Sequence, residues 1–238
     1  MRYIDFNQLE KIDAESYRVR KPFPWINPTG LLTEQGYLTL LGAMPDVSQF
    51  NSSFGLERKN DQTPHDRFIL EYDEHLAIAD VWHEFIAELR SARYKNNLCR
   101  LLDEPSVALN FHWHYTPDGC FVSPHADSPR KAGSHIFYFN TDEDWKSSWG
   151  GHTILLDDGG QMPSRSSPTF DDFSGEVATQ TLGNRSLLFT RTDHAWHGVR
   201  PISCPENRFR KVFIVVINRN RFGDRVRRRF VRREFHYY

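Results

Sequence analysis

From residue 106 onward the chain becomes a series of short runs in which apolar and polar residues alternate, and this restricts the fold more than any other feature of its 238 residues. In 107–115, Val107, Leu109, Phe111, Trp113 and Tyr115 fall on one face of an extended strand, and Asn110, His112 and His114 on the other. Further strand-like runs cover 135–140, 152–156, 186–190 and 211–218, and turn-rich pieces at 117–119, 150–151 and 158–160 separate them. Many short strands at such spacing predict a β-sandwich or barrel.

The front of the chain reads differently. Residues 21–28 are proline-rich and read as an irregular arm, while 33–42 and 74–92 read as helices. In the second helix Leu76, Ala79, Phe85, Ile86 and Leu89 recur near helical spacing. At this length one domain with a sizeable core is expected: 1–105 as mixed α/β support, 106–218 as the β core and 219–238 as a basic C-terminal segment. Residues 157–181 are rich in Ser, Pro, Asp and Gly and read as a lid or a disordered loop.

Composition closes off several classes. The formal net charge is -1, which points to neither nucleic acid nor membrane. The three cysteines, Cys99, Cys120 and Cys204, form neither a disulfide framework nor a zinc-type pair, and reduced thiols in a cytoplasmic protein are expected. The first residues carry no apolar signal region, and no apolar run is long enough to span a bilayer. Self-association as a homo-oligomer is left open.

Three elements suggest a metal site. His125 and Asp127 stand two apart, so an extended backbone turns both side chains the same way. With 11 His and 18 Asp in the chain, about one such pair is expected by chance, so the pair alone has little specificity. His197 follows one strand-like run and precedes the most apolar one, with His194 nearby as a rival ligand. Arg208 and Arg210 begin the face of that last run that carries Val212, Ile214 and Val216, and a buried arginine there calls for an anionic partner. Two His and one carboxylate form the facial triad of non-haem Fe(II) oxygenases, which leaves coordination positions for a chelating 2-oxoacid and dioxygen. A guanidinium suits the far carboxylate of such an acid. His112 and His114 stand two apart as well, lack a third ligand, and read as strand-surface residues.

Taken in order, these parts resemble the 2-oxoglutarate/Fe(II)-dependent dioxygenase superfamily, and more closely its prolyl-hydroxylase-like branch. The similarity runs over about 107–218. It rests on Tyr115, the Gly119 turn, Phe121 and His125-x-Asp127, then 136–140 with Asp144, Trp145, Gly150 and Gly151, then 187–189 and His197 to Pro201. It implies a mainly β fold with supporting helices around a double-stranded β-helix, or jelly-roll, core. The implied ligands are His125, Asp127 and His197, and the implied cofactor and co-substrates are Fe(II), 2-oxoglutarate and dioxygen. Tyr115 and Tyr138 are implied to face the pocket, with Tyr138 beside Arg210 at the 2-oxoglutarate carboxylate. The gap from His197 to its arginine is longer than in close relatives. Arg210 is preferred because it directly precedes the unbroken strand, and Arg208 remains a candidate. The ligand carboxylate of Asp127 favours hydroxylation over halogenation.

The resemblance leaves the substrate open among small molecules, free amino acids and prolyl or peptide substrates. Residues 219–238 hold eight Arg against Asp224 and Glu234, a footprint that would suit phosphate, yet nucleic acid is not the expected partner. Trp145 and Trp149 either line a substrate site or anchor their loop. A non-catalytic metal- or ligand-binding jelly roll is the reading from a different class, because fold alone does not fix turnover.

Overall fold

In the computed structural model, residues 1–56 and 63–220 are described, so the basic segment expected at 219–238 lies almost wholly outside them. The elements run α1 (Phe6–Lys11), α2 (Ala14–Arg18), β1 (Trp25–Ile26), α3 (Glu34–Gly42), β2 (Asn51–Ser53), β3 (Arg67–Glu71), α4 (Asp80–Leu89) and α5 (Ala92–Leu102). They continue with β4 (Val107–Thr116), β5 (Val122–His125), β6 (Lys131–Tyr138), β7 (Ile154–Asp157), β8 (Gly175–Ala178), β9 (Ser186–Thr190), β10 (Trp196–Val199) and β11 (Arg210–Arg219).

Two antiparallel sheets carry the fold. The larger has the order β1-β9-β6-β11-β4-β3-β2 and the smaller β5-β10-β7-β8. This is the mainly β architecture expected from the alternating runs. Strands β1, β2 and β3 come from the front of the chain and extend the same large sheet as the core strands.

The two faces of the large sheet do different work. Phe111 and Trp113 of β4, Phe137 of β6 and Phe213 and Val215 of β11 turn to the helices. There they meet Trp82, Phe85, Ile86 and Leu89 of α4, one stripe at helical spacing, and Tyr94, Leu98 and Leu101 of α5. Trp82 and Trp113 are fully buried and meet edge-on at 5.0 Å. The opposite face receives the small sheet over a second core of Ile136, Tyr138, Leu155, Leu187, Phe189 and Val212. Beyond that core the same face floors a cavity of about 980 Å³.

Several expectations change. The helix expected over 74–92 is α4 alone, preceded by a hydrogen-bonded turn over 73–78. A further helix, α5, is capped by Ser91, whose hydroxyl accepts from the Tyr94 amide. The expected loop at 157–181 contains β8, paired with β7, and a single 3-10 turn at Phe170–Asp172. His197, between the two strand-like runs, lies on a short strand of its own, β10. Among the described residues no helix is long and apolar enough to cross a membrane.

Candidate metal centre and co-substrate pocket

The triad is assembled by one strand pairing. β5 and β10 run antiparallel with His125 directly opposite His197, which brings the ring centroids to 4.4 Å. Asp127 follows His125 by two residues, just past the strand end, and turns to the same side. One ligand atom from each of the three residues lies within 4.8 Å of the others, and all three residues are buried. Nδ1–H of His125 donates to the Ser123 carbonyl at 3.0 Å, and Nδ1–H of His197 to the Ala195 carbonyl at 3.0 Å. Each ring therefore turns Nε2 towards the shared point, in the tautomer that a metal needs. Two imidazole nitrogens and a carboxylate oxygen on one side of a common point fit a hexacoordinate Fe(II) ion.

Asp127 is held from three directions. Lys131 Nζ donates to Oδ1 at 2.6 Å, Ser134 Oγ to Oδ2 at 3.3 Å, and Arg191 Nε to the Asp127 carbonyl at 2.9 Å. Burial alone would raise the carboxyl pKa. The charges of Lys131, then His197 and His125, outweigh burial and hold it below the ordinary carboxylate range. Lys131, Ser134 and Arg191 carry no motif of their own, and the sequence singled out none of them.

At the other end of the pocket stands Arg210, the first residue of β11 and 7% exposed. Its Nε donates to the Gly151 carbonyl at 2.6 Å and its Nη2 to Thr153 Oγ1 at 3.0 Å. Burial presses its pKa down and contact with Tyr138 opposes this, and a guanidinium stays charged under either influence. Gly151 sits at φ +85°, where a Cβ would come within 3.2 Å of Arg210 Cδ and 3.3 Å of Trp145 Cζ2. The glycine pair thus lets the turn close over the arginine. Asn140 and Asp144 clamp the same loop to β11. Lys211 N–H donates to Asn140 Oδ1 at 2.7 Å, and Lys211 Nζ reaches Asp144 Oδ2 at 2.9 Å.

The other candidates divide. Arg208 is exposed, outside the pocket, in the turn before β11. His194 lies outside the triad and pairs with Asp158 at 2.8 Å. Tyr138 is buried in the inter-sheet core beside Arg210, whose guanidinium carbon lies 5.7 Å from its ring centroid, and its hydroxyl bonds Thr153 Oγ1 at 2.9 Å. Tyr115 does not face the pocket. It belongs to the apolar face of β4, packs among the helices and donates its hydroxyl to the Pro45 carbonyl at 2.8 Å. The reason is strand parity, because Phe111, Trp113 and Tyr115 share one face. By the same parity His112 and His114 lie on the opposite face, where they line the cavity and are half-buried. Trp145 and Trp149 pack edge-on at 5.5 Å and lie outside the cavity lining, with Trp145 Nε1 donating to the Gly150 carbonyl at 3.0 Å. They anchor the loop.

Comparison with known proteins agrees with this geometry. Residues 111–216 match the family model described as the 2OG-Fe(II) oxygenase superfamily, whose members use Fe(II), 2-oxoglutarate and dioxygen. No curated protein sequence matches the chain. Among solved structures, a prolyl-4-hydroxylase from Pseudomonas putida superposes with a TM-score of 0.60 at 16% identity, covering 83% of this chain and 93% of that one. The non-haem α-ketoglutarate-dependent carbocyclase SnoK from nogalamycin biosynthesis superposes with a TM-score of 0.59 at 10% identity, covering 94% and 92%. A prolyl hydroxylase from Trichoplax adhaerens, in complex with a hypoxia-inducible-factor oxygen degradation domain peptide, gives 0.56 at 13% identity, covering 95% and 91%. At these identities the superpositions speak for the fold, a double-stranded β-helix with supporting helices. Residues 111–216 are thus similar to the 2OG-Fe(II) oxygenase superfamily, and the chain shares its fold with prolyl hydroxylases.

Proposed function

We propose that this protein is an Fe(II)- and 2-oxoglutarate-dependent dioxygenase that hydroxylates a small-molecule, amino-acid or peptide substrate, with His125, Asp127 and His197 as the metal ligands and Arg210 as the anchor of the co-substrate. The observation that carries this reading is the pairing of two sites in one cavity. A three-ligand cluster lies at one end and the buried guanidinium of Arg210 at the other. A triad alone would suit a binding module. A triad facing a buried cation suits a small dicarboxylate bound between them.

The residues divide the work. Lys131, Ser134 and Arg191 hold Asp127 in place, and backbone carbonyls hold the two imidazoles. Arg210, fixed by Gly151 and Thr153, presents a planar donor edge that matches a carboxylate. Tyr138 orients Thr153 and is not itself part of the cavity lining. Phe189, Ile136 and Ile214 supply apolar wall that limits water near the metal ligands. With its metal and co-substrates bound, such a site couples decarboxylation of 2-oxoglutarate to succinate with transfer of an oxygen atom to the substrate.

The test is succinate release from 2-oxoglutarate with and without Fe(II), across free amino acids, other small acids and prolyl peptides. Fe(II)-dependent succinate that rises with one of these classes supports the reading. No succinate with any of them, in protein that retains its fold, would remove it.

A further inference from the structure

The strand register shows what lies beside the line from the triad to Arg210. On the cavity face of the large sheet, Tyr138, Val212, His114 and Ile69 form one row across β6, β11, β4 and β3. Ile136, Ile214, His112 and Glu71 form the next. Ser134, which contacts Asp127, opens the row beyond, and Arg210 sits beside Thr116 at the opposite end. A dicarboxylate held between the triad and Arg210 therefore runs along β6 and β11. His112 and His114 lie one strand over, roughly 5 Å to the side, on the part of the floor that continues to β3.

These two imidazoles are unusual in a cavity wall. The rings stack in parallel at 4.5 Å and 2°. Among the described residues neither ring has a protein hydrogen-bond partner, although both line the cavity. Both residues are half-buried, so their ring nitrogens open onto the cavity and are available to a ligand or to ordered water. Burial, and then the charges of Lys131 and Arg67, push the pKa of His112 down to about 3. Burial, and then Arg67, push His114 well below the ordinary range as well. Both rings are thus neutral near pH 7, and each offers one N–H donor and one lone pair. Arg67 of β3 lines the same floor, 9% exposed, with Nη1 donating to the His65 carbonyl at 2.8 Å.

We propose that His112 and His114 are the substrate-recognition pair of this oxygenase, and that the substrate is a polar small molecule whose carboxylate group lies over β4 and β3, hydrogen-bonded to these imidazoles with Arg67 as its counter-charge. This rests on the oxygenase reading, which places the co-substrate along β6 and β11 and leaves β4 and β3 as the floor beside it. A guanidinium at each side of Thr116 then gives two anionic positions, one for the far carboxylate of the co-substrate and one for the substrate.

The test uses the full chain with Fe(II) and 2-oxoglutarate under argon, so that binding is read without turnover. Calorimetry follows a panel of amino acids, hydroxy acids and aromatic acids, each paired with its methyl ester. At least one acid binds, and its ester binds at least tenfold more weakly. For that acid, His114→Leu and Arg67→Gln each weaken binding at least tenfold. His114→Gln, which keeps a donor and an acceptor, stays within about threefold of the parent. If no acid binds while the parent shows the visible band of chelated 2-oxoglutarate, the proposal is wrong and ordered water satisfies the two rings. Esters binding as well as acids, or His114→Leu binding like the parent, would overturn it too. Absence of the band in the parent would overturn the oxygenase reading and this proposal with it.

Discussion

Arg210 and Arg208 stand two residues apart at the mouth of one strand, yet they meet opposite surroundings. Arg210 is enclosed by Gly151, Thr153 and Tyr138, and Arg208 is exposed in the turn before it. Truncating one partner of a buried charged pair costs about 2–5 kcal/mol. Arg210→Gln is therefore expected to weaken 2-oxoglutarate binding by roughly 30-fold or more, and Arg208→Gln to leave it within about twofold. Titration of the anaerobic Fe(II) protein with 2-oxoglutarate reads both, and equal effects would count against the assignment. The tyrosines separate likewise. Tyr115→Phe removes a buried hydrogen bond to Pro45, worth about 1 kcal/mol of stability, and is expected to leave 2-oxoglutarate affinity unchanged. Denaturant unfolding and the same titration check this. Reduced affinity in Tyr115→Phe would show that this ring acts on the pocket after all.

At the scale of elements, the turn at 150–151 and the strand β4 are the decisive pieces. Gly151→Ala places a methyl group against Arg210 at a φ that other residues adopt only with strain. A loss of about 1–3 kcal/mol in stability is expected, together with weaker 2-oxoglutarate binding, read by thermal unfolding and by titration. An alanine variant with parental affinity would mean that the turn does not position the arginine. Much of this was legible beforehand. Alternation in 107–115 fixed the two faces of β4, and the glycine pair marked the turn. What was not legible was what covers each face of β4. The apolar face packs on the helices, where Trp113 meets Trp82, and the other face floors the cavity. Tyr115 is placed in the pocket by the resemblance alone, while its own strand sets it on the apolar face with Phe111 and Trp113. Lys131, Ser134 and Arg191 escaped notice because their role depends on where Asp127 comes to rest, and that is set by the pairing of β5 with β10.

For the molecule as a whole, the interior holds imidazoles that fold neutral. His112 and His135 are pushed down to about 3, each first by burial, and His114 is pushed well below its ordinary value by burial and neighbouring cations. His135 is further fixed by Tyr94, whose hydroxyl lies 2.7 Å from Nδ1. In the unfolded chain these rings titrate near pH 6.5, so on acidification the unfolded state takes up protons before the folded one does. The stability they contribute is complete above about pH 6.5 and drains away as pH falls towards their folded values. Between pH 7.5 and 5.5 the protein is expected to lose roughly 2–4 kcal/mol, read by urea unfolding, with a flat profile arguing against neutral burial. The central claim concerns the triad and Arg210 together, and one measurement addresses both. Under argon, Fe(II) and 2-oxoglutarate added to the protein are expected to give the weak visible absorption band of a chelated 2-oxoacid. The band should be lost in His197→Ala and in Asp127→Ala, and should need roughly 30-fold more 2-oxoglutarate or higher in Arg210→Gln. No band in the parent protein, or an undiminished band in His197→Ala, would contradict the account.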